Sequence, residues 1–315
     1  FYCTFDLHYG THFRFSGIIQ NFFMLRDVII HLRFPFSVLL LPVFLLAVSQ
    51  IKNLDALNFG IVFFVLHLLV YPSSNGFNSL MDRDTGSIGM IKNPKAVPKA
   101  MIGVTVLMDL SAMIITWALF RWEVTALLLA YILASRAYSY RGIRLKQYAI
   151  IGFLIVAFFQ GPVIYLLTKL ALATSQLLIF EKTDFILCAI AFLLIGAGYP
   201  ISQIYQHEQD KSDNVNTISM LLGIKGTFYF SLWMFALLNV LFCYYFVIVV
   251  GDISTEILLL LITAPVSYFF LKWMNMTMKD PKQANFQNTM KMNLIGAACN
   301  NLFFLLLILK NNLFD

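Results

Sequence analysis

Tyr71-Pro-Ser-Ser-Asn-Gly-Phe-Asn-Ser-Leu-Met-Asp82-Arg83 stands where a long apolar run gives way to a basic, polar loop. A near copy follows 128 residues later, as Tyr199-Pro-Ile-Ser-Gln-Ile-Tyr-Gln-His-Glu-Gln-Asp210-Lys211. Tyr, Pro, one Ser and Asp are identical between the copies, and Asn/Gln, Phe/Tyr, Asn/Gln and Arg/Lys exchange conservatively. Read as helix, Asn75, Asn78 and Asp82 fall at i, i+3 and i+7 and share one face; Gln203, Gln206 and Asp210 repeat that spacing. The pattern predicts two equivalent helix ends, each finishing in a carboxylate, with the rest of the chain holding them around one site.

Composition sets the medium. The 315 residues are 60% apolar, 16% aromatic and only 12% charged, against about 25% charged in soluble domains. No soluble fold hides that much apolar surface, so the chain reads as an all-α polytopic membrane bundle. Cys3, Cys188, Cys243 and Cys299 share no ligand spacing and read as packed residues, not as a metal cluster or a disulfide framework. No signal-peptide pattern stands out in residues 1–33.

A span needs about 20 apolar residues. Nine runs qualify, near 34–51, 57–78, 98–120, 122–140, 149–170, 183–206, 226–250, 254–273 and 290–310, following an interfacial segment over 1–33. Residues 34–315 then form a single transmembrane domain. Of the 22 Lys and Arg residues, 17 fall in the N-terminal stretch and the loops after spans two, four, six and eight, against 5 on the other side. The positive-inside rule places the first set in the cytoplasm, with the N-terminus inside and the C-terminus outside. The net charge of +6 thus reports topology and calls for no nucleic acid. Both Asp-bearing ends share one membrane face, four spans apart, so the repeat is parallel: two pseudo-repeats with a site expected where they meet.

Asp82, Asp84, Glu208, Asp210 and Asp213 sit in the two matched loops. Carboxylates at helix ends read equally as solvated interface residues or as an oxygen-rich Mg²⁺ site completed by water and phosphate. Arg83 and Lys211 beside them, and the segment Tyr138-Ser-Tyr-Arg-Gly-Ile-Arg144-Leu-Lys146, supply cations that suit a phosphate clamp or ordinary positive-inside flanking. Asp109 lies near mid-span, about 15 Å from the cytoplasmic end. A carboxylate at that depth faces either an acceptor in a cavity or a structural partner. His67 and Gln160 read as packing or interhelical hydrogen-bonding residues.

Three motifs in this order, Asn78-x-x-x-Asp82-Arg83-Asp84, Tyr-Ser-x-x-x-Ile-Arg-Leu-Lys over 138–146, and Glu208-x-Asp210 with Thr217 and Leu222-Gly223, resemble the UbiA superfamily of intramembrane prenyltransferases. The resemblance covers most of the chain. It implies Mg²⁺-dependent transfer of a prenyl group from a polyprenyl diphosphate to an aromatic or lipid acceptor, in a bacterial cytoplasmic or organelle inner membrane. It assigns Asp82 and Asp210 as the catalytic pair and Asn78, Asp82 and Asp210 as metal ligands, with Asp84 and Glu208 as seconds. Arg144 and Lys146, with Tyr138 and the neighbouring cations Arg83 and Lys211, then fall to the diphosphate, while Asp109, by its depth, and Gln206 are candidates for the acceptor side. Ser79, Gly86 and Gln206 stand where the family has Asp. The competing readings are a secondary transporter, which also shows parallel repeats, and a catalytically weak family member that only binds the diphosphate.

Overall fold

The structure is a computed structural model that describes residues 25–82, 86–92, 94–173 and 181–313. Among them every regular element is a helix, apart from one isolated bridge between Ile88 and Ile91. Helix α1 is a pair, Leu25–Leu39 and Leu41–Val48, bent by 46°. It is followed by α2 (Ala56–Asp82), α3 (Met101–Leu119), α4 (Trp122–Ser139), α5 (Ala149–Leu172) and α6 (Lys182–Gln203). A short α7 (His207–Ser212) precedes α8 (Ile218–Val250), α9 (Ile253–Lys279) and α10 (Phe286–Asn312).

These helices follow the expected spans, but the count of nine is not established. Seven of the described helices are long and apolar enough to cross a membrane, or eight if the bent α1 pair counts as one span. Helix α4, expected as the fourth span, has 18 residues that include Glu123 and Arg136. Near the boundary expected at residue 33, α-helix over 25–32 gives way at Arg33, φ 49°, to the 3₁₀ helix Phe34–Leu39. Residues 1–24 lie outside the described part.

The elements follow from their sequences. Val43 to Val48 of α1 are apolar all round and all buried, packed against α5 and α10, as a helix without a polar face must be. Helix α3 instead exposes Leu107, Leu110, Ile114 and Trp117 along one side, the stripe that lipid would cover. Three spans carry a π-helical turn: Phe64–Val70, Phe159–Val163 and Tyr244–Val250. The first ends just before Pro72 and the second contains Pro162; a proline removes one helical donor, and a widened turn absorbs the misfit.

Helices α5 and α6 touch at backbone distance. A Cβ on Gly161 would stand 2.6 Å from the carbonyl oxygen of Ala191, so only glycine lets the second π turn approach α6. The Thr217/Leu222-Gly223 signature also has a local cause. The Thr217 hydroxyl accepts from the Met220 amide at 3.3 Å to start α8, and Gly223 kinks it at φ +66°, a conformation that side-chain-bearing residues rarely adopt.

The repeated stretch folds in two ways. Tyr71–Asp82 is continuous helix, so Asn75, Asn78 and Asp82 share a face as expected. In the second copy α6 stops at Gln203, the chain turns over Ile204–Gln206, and Asp210 sits on α7. The single helical face expected for Gln203, Gln206 and Asp210 is therefore wrong, although all three line the same cavity.

Candidate active site

A cavity of about 350 Å³ opens between the two copies. Its polar mouth is lined by Asn75, Asn78 and Asp82 from α2 and by Gln203, Gln206 and Asp210 from the second copy. Asp82 is almost fully buried and forms an ion pair with Lys146, with an Arg144 guanidinium nitrogen 4.0 Å away. Arg144 reaches this place because it takes a left-handed turn, φ 49°, in the loop after α4. It is itself ion-paired to Asp213 in the loop after α7. Arg141 donates to the carbonyl of Met81 at 2.6 Å, placing a cation at the C-terminal end of α2, where the helix dipole favours one. The loop after α4 thus ties both Asp-bearing ends together.

Behind the carboxylates lies a hydroxyl pair. Tyr138 of α4 and Tyr199 of α6 share a hydrogen bond of 2.5 Å, and Gln203 Nε2 donates to the Tyr199 hydroxyl at 2.8 Å. Both tyrosines feel the charges of Asp82 and Asp210. Asn78 Oδ1 accepts from Ser139 at 2.9 Å, and Gln206 Nε2 donates to the Ser87 carbonyl at 3.3 Å. Deeper in, Tyr131, Ser74 and Gln160 line the cavity together. Gln160 is brought in by the π turn of α5. Outside the spans, His207 on α7 bonds Ser219 at 2.7 Å, and burial holds it below the ordinary histidine value.

Several expected site residues are not brought together. Glu208 and Lys211 are exposed on α7 and do not line the cavity. Arg83 and Asp84 lie outside the described residues. Asp109 is ion-paired to Arg136 and accepts from Ser73 at 2.6 Å, while the Arg136 guanidinium lies 4.2 Å over the Phe77 ring. Neither Asp109 nor Arg136 lines the cavity; the pair ties α2, α3 and α4, and the acceptor role expected for Asp109 finds no support in this placement. Conversely, Arg33, assigned to the interfacial segment by its position, lines the mouth and donates to the Asn75 carbonyl at 3.0 Å. Tyr199 carried only one signal, its identity with Tyr71 in the repeat.

The donor set has a definite character. Among the described residues no three His, Cys, Asp or Glu side chains gather into a metal site. The mouth offers two carboxylates, Asp82 and Asp210, and the buried Gln203 Oε1 has no hydrogen-bond partner. Such a set fits a Mg²⁺ ion, which takes one or two carboxylates and fills its octahedron with water and phosphate oxygens. It does not fit an all-protein cage.

The sequence profile of the UbiA prenyltransferase family matches residues 36–295. The chain belongs to that family. Comparison with curated protein sequences gave no match. Among solved structures, a UbiA homolog from Archaeoglobus fulgidus bound to DMAPP and Mg²⁺ is similar at TM-score 0.64 and 15% identity, over 90% of this chain and 99% of that one. The same homolog bound to GPP and Mg²⁺ gives TM-score 0.58 at 14% identity, over 90% and 99%. A digeranylgeranylglyceryl phosphate synthase gives 0.57 at 18% identity, over 91% and 98%. At these identities the likeness is one of fold: the protein is a multi-pass UbiA membrane bundle.

Proposed function

We propose that this UbiA-family protein transfers a prenyl group from a polyprenyl diphosphate to an aromatic or lipid acceptor, in a Mg²⁺-dependent reaction inside the membrane. The observation that carries the proposal is one cavity joining Asp82, Asp210 and Lys146 at its mouth to an apolar interior. The liganded Archaeoglobus structures agree with the substrate class. The Lys and Arg distribution supports a cytoplasmic mouth.

Magnesium held by Asp82 and Asp210, with amide oxygens of Asn78 and Gln203 beside them, would neutralise the diphosphate and improve it as a leaving group. The chain's own residues do the rest. Lys146, with Arg144 behind it, turns from Asp82 to the diphosphate oxygens, and the Tyr138–Tyr199 pair offers a hydroxyl donor to the bridging oxygen. As the allylic carbon–oxygen bond breaks, its electron pair leaves with the diphosphate. The cation that remains is shielded from water by the apolar wall, and an acceptor carbon or oxygen attacks it. No His or Glu among the described residues lines the cavity. The acceptor's proton therefore passes to the departing diphosphate or to a mouth carboxylate.

Membranes containing the protein, incubated with labelled prenyl diphosphates and a panel of aromatic acids and lipid alcohols, are expected to form a prenylated product that chelation of Mg²⁺ abolishes. Product formation that persists at full rate in Asp210→Ala, or without Mg²⁺, would contradict the proposal.

A further inference from the structure

Some glycines in the bundle are spacers: an added Cβ on Gly76 or Gly161 would meet a neighbour within 3 Å. Of those with open space beside them, two line the cavity, Gly198 of α6 and Gly296 of α10, and an added Cβ at either would meet no heavy atom within 4 Å. Neither has a positive φ that would demand glycine for the backbone. The room beside each is therefore cavity, present because the residue has no side chain.

The two stand on chemically different walls. On the inner side of Gly198 along α6, Leu194 and Ile195 at i−4 and i−3 are apolar and line the cavity, as do Phe159, Phe235 and Val266 of other helices, while Tyr199 and Ser202 line it toward the mouth. Beside Gly296 the wall carries amides: Asn293 and Asn300 lie at i−3 and i+4 on the same helix and line the cavity with it, next to Met292 and Ala297. A prenyl tail offers no hydrogen bond and belongs on the first wall; a polar acceptor head belongs on the second. Gly198 sits five residues before Gln203, about 7.5 Å from the mouth along the helix, and Leu194 lies about 6 Å further in. A chain anchored by its diphosphate must pass Gly198 before it reaches Leu194.

We infer that Gly198 determines prenyl chain length, as the gap through which a tail longer than one or two isoprene units runs along α6. This rests on the proposed prenyl-diphosphate reading of the cavity. A side chain at 198 shortens the slot without touching Asp82, Asp210 or Lys146. Crowding of about one methylene changes selectivity roughly 10- to 200-fold in an apolar pocket.

The test needs no acceptor. Binding of non-hydrolysable dimethylallyl, geranyl and geranylgeranyl thiodiphosphates in Mg²⁺ is measured by protection of the purified protein against thermal unfolding. Gly198→Leu is expected to weaken geranylgeranyl relative to dimethylallyl binding by about 10-fold or more, and Gly198→Ala by less. Gly296→Leu and Gly103→Leu, the latter on the exposed face of α3, are expected to leave that ratio unchanged. An unchanged ratio in both Gly198 variants, or a shift in Gly296→Leu instead, would overturn the inference. Failure of the wild-type protein to bind any of the three would overturn the prenyl-diphosphate reading itself, a distinct result. Should Gly198→Leu not fold, the Gly198→Ala ratio decides.

Discussion

The two copies of one sequence pattern deliver their carboxylates to the same cavity by different means. In the first, helix runs unbroken through Asn75, Asn78 and Asp82, and its end is tied by Arg141 to the loop after α4. In the second, helix ends at Gln203 and Asp210 rides on a separate six-residue helix. The residues that differ show why. Gly76 of the first copy corresponds to Ile204 of the second, and Gly76 is where α2 presses on Met101 and Thr105 of α3. Ser73 adds a hydrogen bond to the Thr105 carbonyl at 2.9 Å. The first copy is braced along its length, whereas the second turns away with Ile204 buried in the turn. A repeat in sequence thus secures a shared destination, not a shared conformation.

This contrast can be broken at several points. The largest effect is expected from removing the carboxylates. Asp82→Ala and Asp210→Ala should each lower prenyl transfer about 100-fold or more, since ligand loss at a charge-stabilised site costs several kcal/mol. Asp82→Ala should also lower the unfolding midpoint, because it strands the buried Lys146, whereas Arg144 keeps its ion pair with Asp213.

Next comes the brace. Gly76→Ile places the second copy's residue in the first and should destabilise the protein by about 1–3 kcal/mol through overpacking against Met101, read by thermal unfolding in detergent. A smaller effect is expected from Arg141→Ala, which frees the Met81 carbonyl. Its side chain is largely exposed, so the loss should stay below about 1 kcal/mol, visible as faster amide exchange at the last turn of α2 and not in α5.

The smallest belongs to the second copy alone. Because burial lowers the His207 value, the folded state takes up its proton less readily than the unfolded chain. Its contribution is complete above the ordinary value of 6.5 and declines as pH falls through the folded value. Thermal midpoints measured across that range should drop on acidification, and His207→Phe should reduce the slope.

Much of this architecture was legible in the sequence because it depends on composition and periodicity. The helical bundle and the convergence of Asn78, Asp82 and Asp210 follow from apolar run lengths and repeated polar stripes, whereas the basic segment ending at Lys146 was singled out only by the resemblance to the UbiA superfamily. What escaped depends on breaks in that periodicity. Glu208 and Lys211 were expected at the site from their place beside Asp210 and from the family resemblance; the chain turns over Ile204–Gln206, and both are exposed on α7. Arg33 was assigned to the interface because it precedes an apolar run; the bend in α1 returns it to the mouth. Mid-span depth correctly marked Asp109 as needing a partner, but nothing local to it names Arg136, 27 residues away.

The central claim is that one diphosphate site requires a carboxylate from each copy. Its most direct measurement is Mg²⁺-dependent protection against thermal unfolding by geranyl thiodiphosphate, compared among wild type, Asp82→Asn and Asp210→Asn. The account predicts protection in the wild type and its loss in each single variant. Protection that survives unchanged in either variant would contradict it.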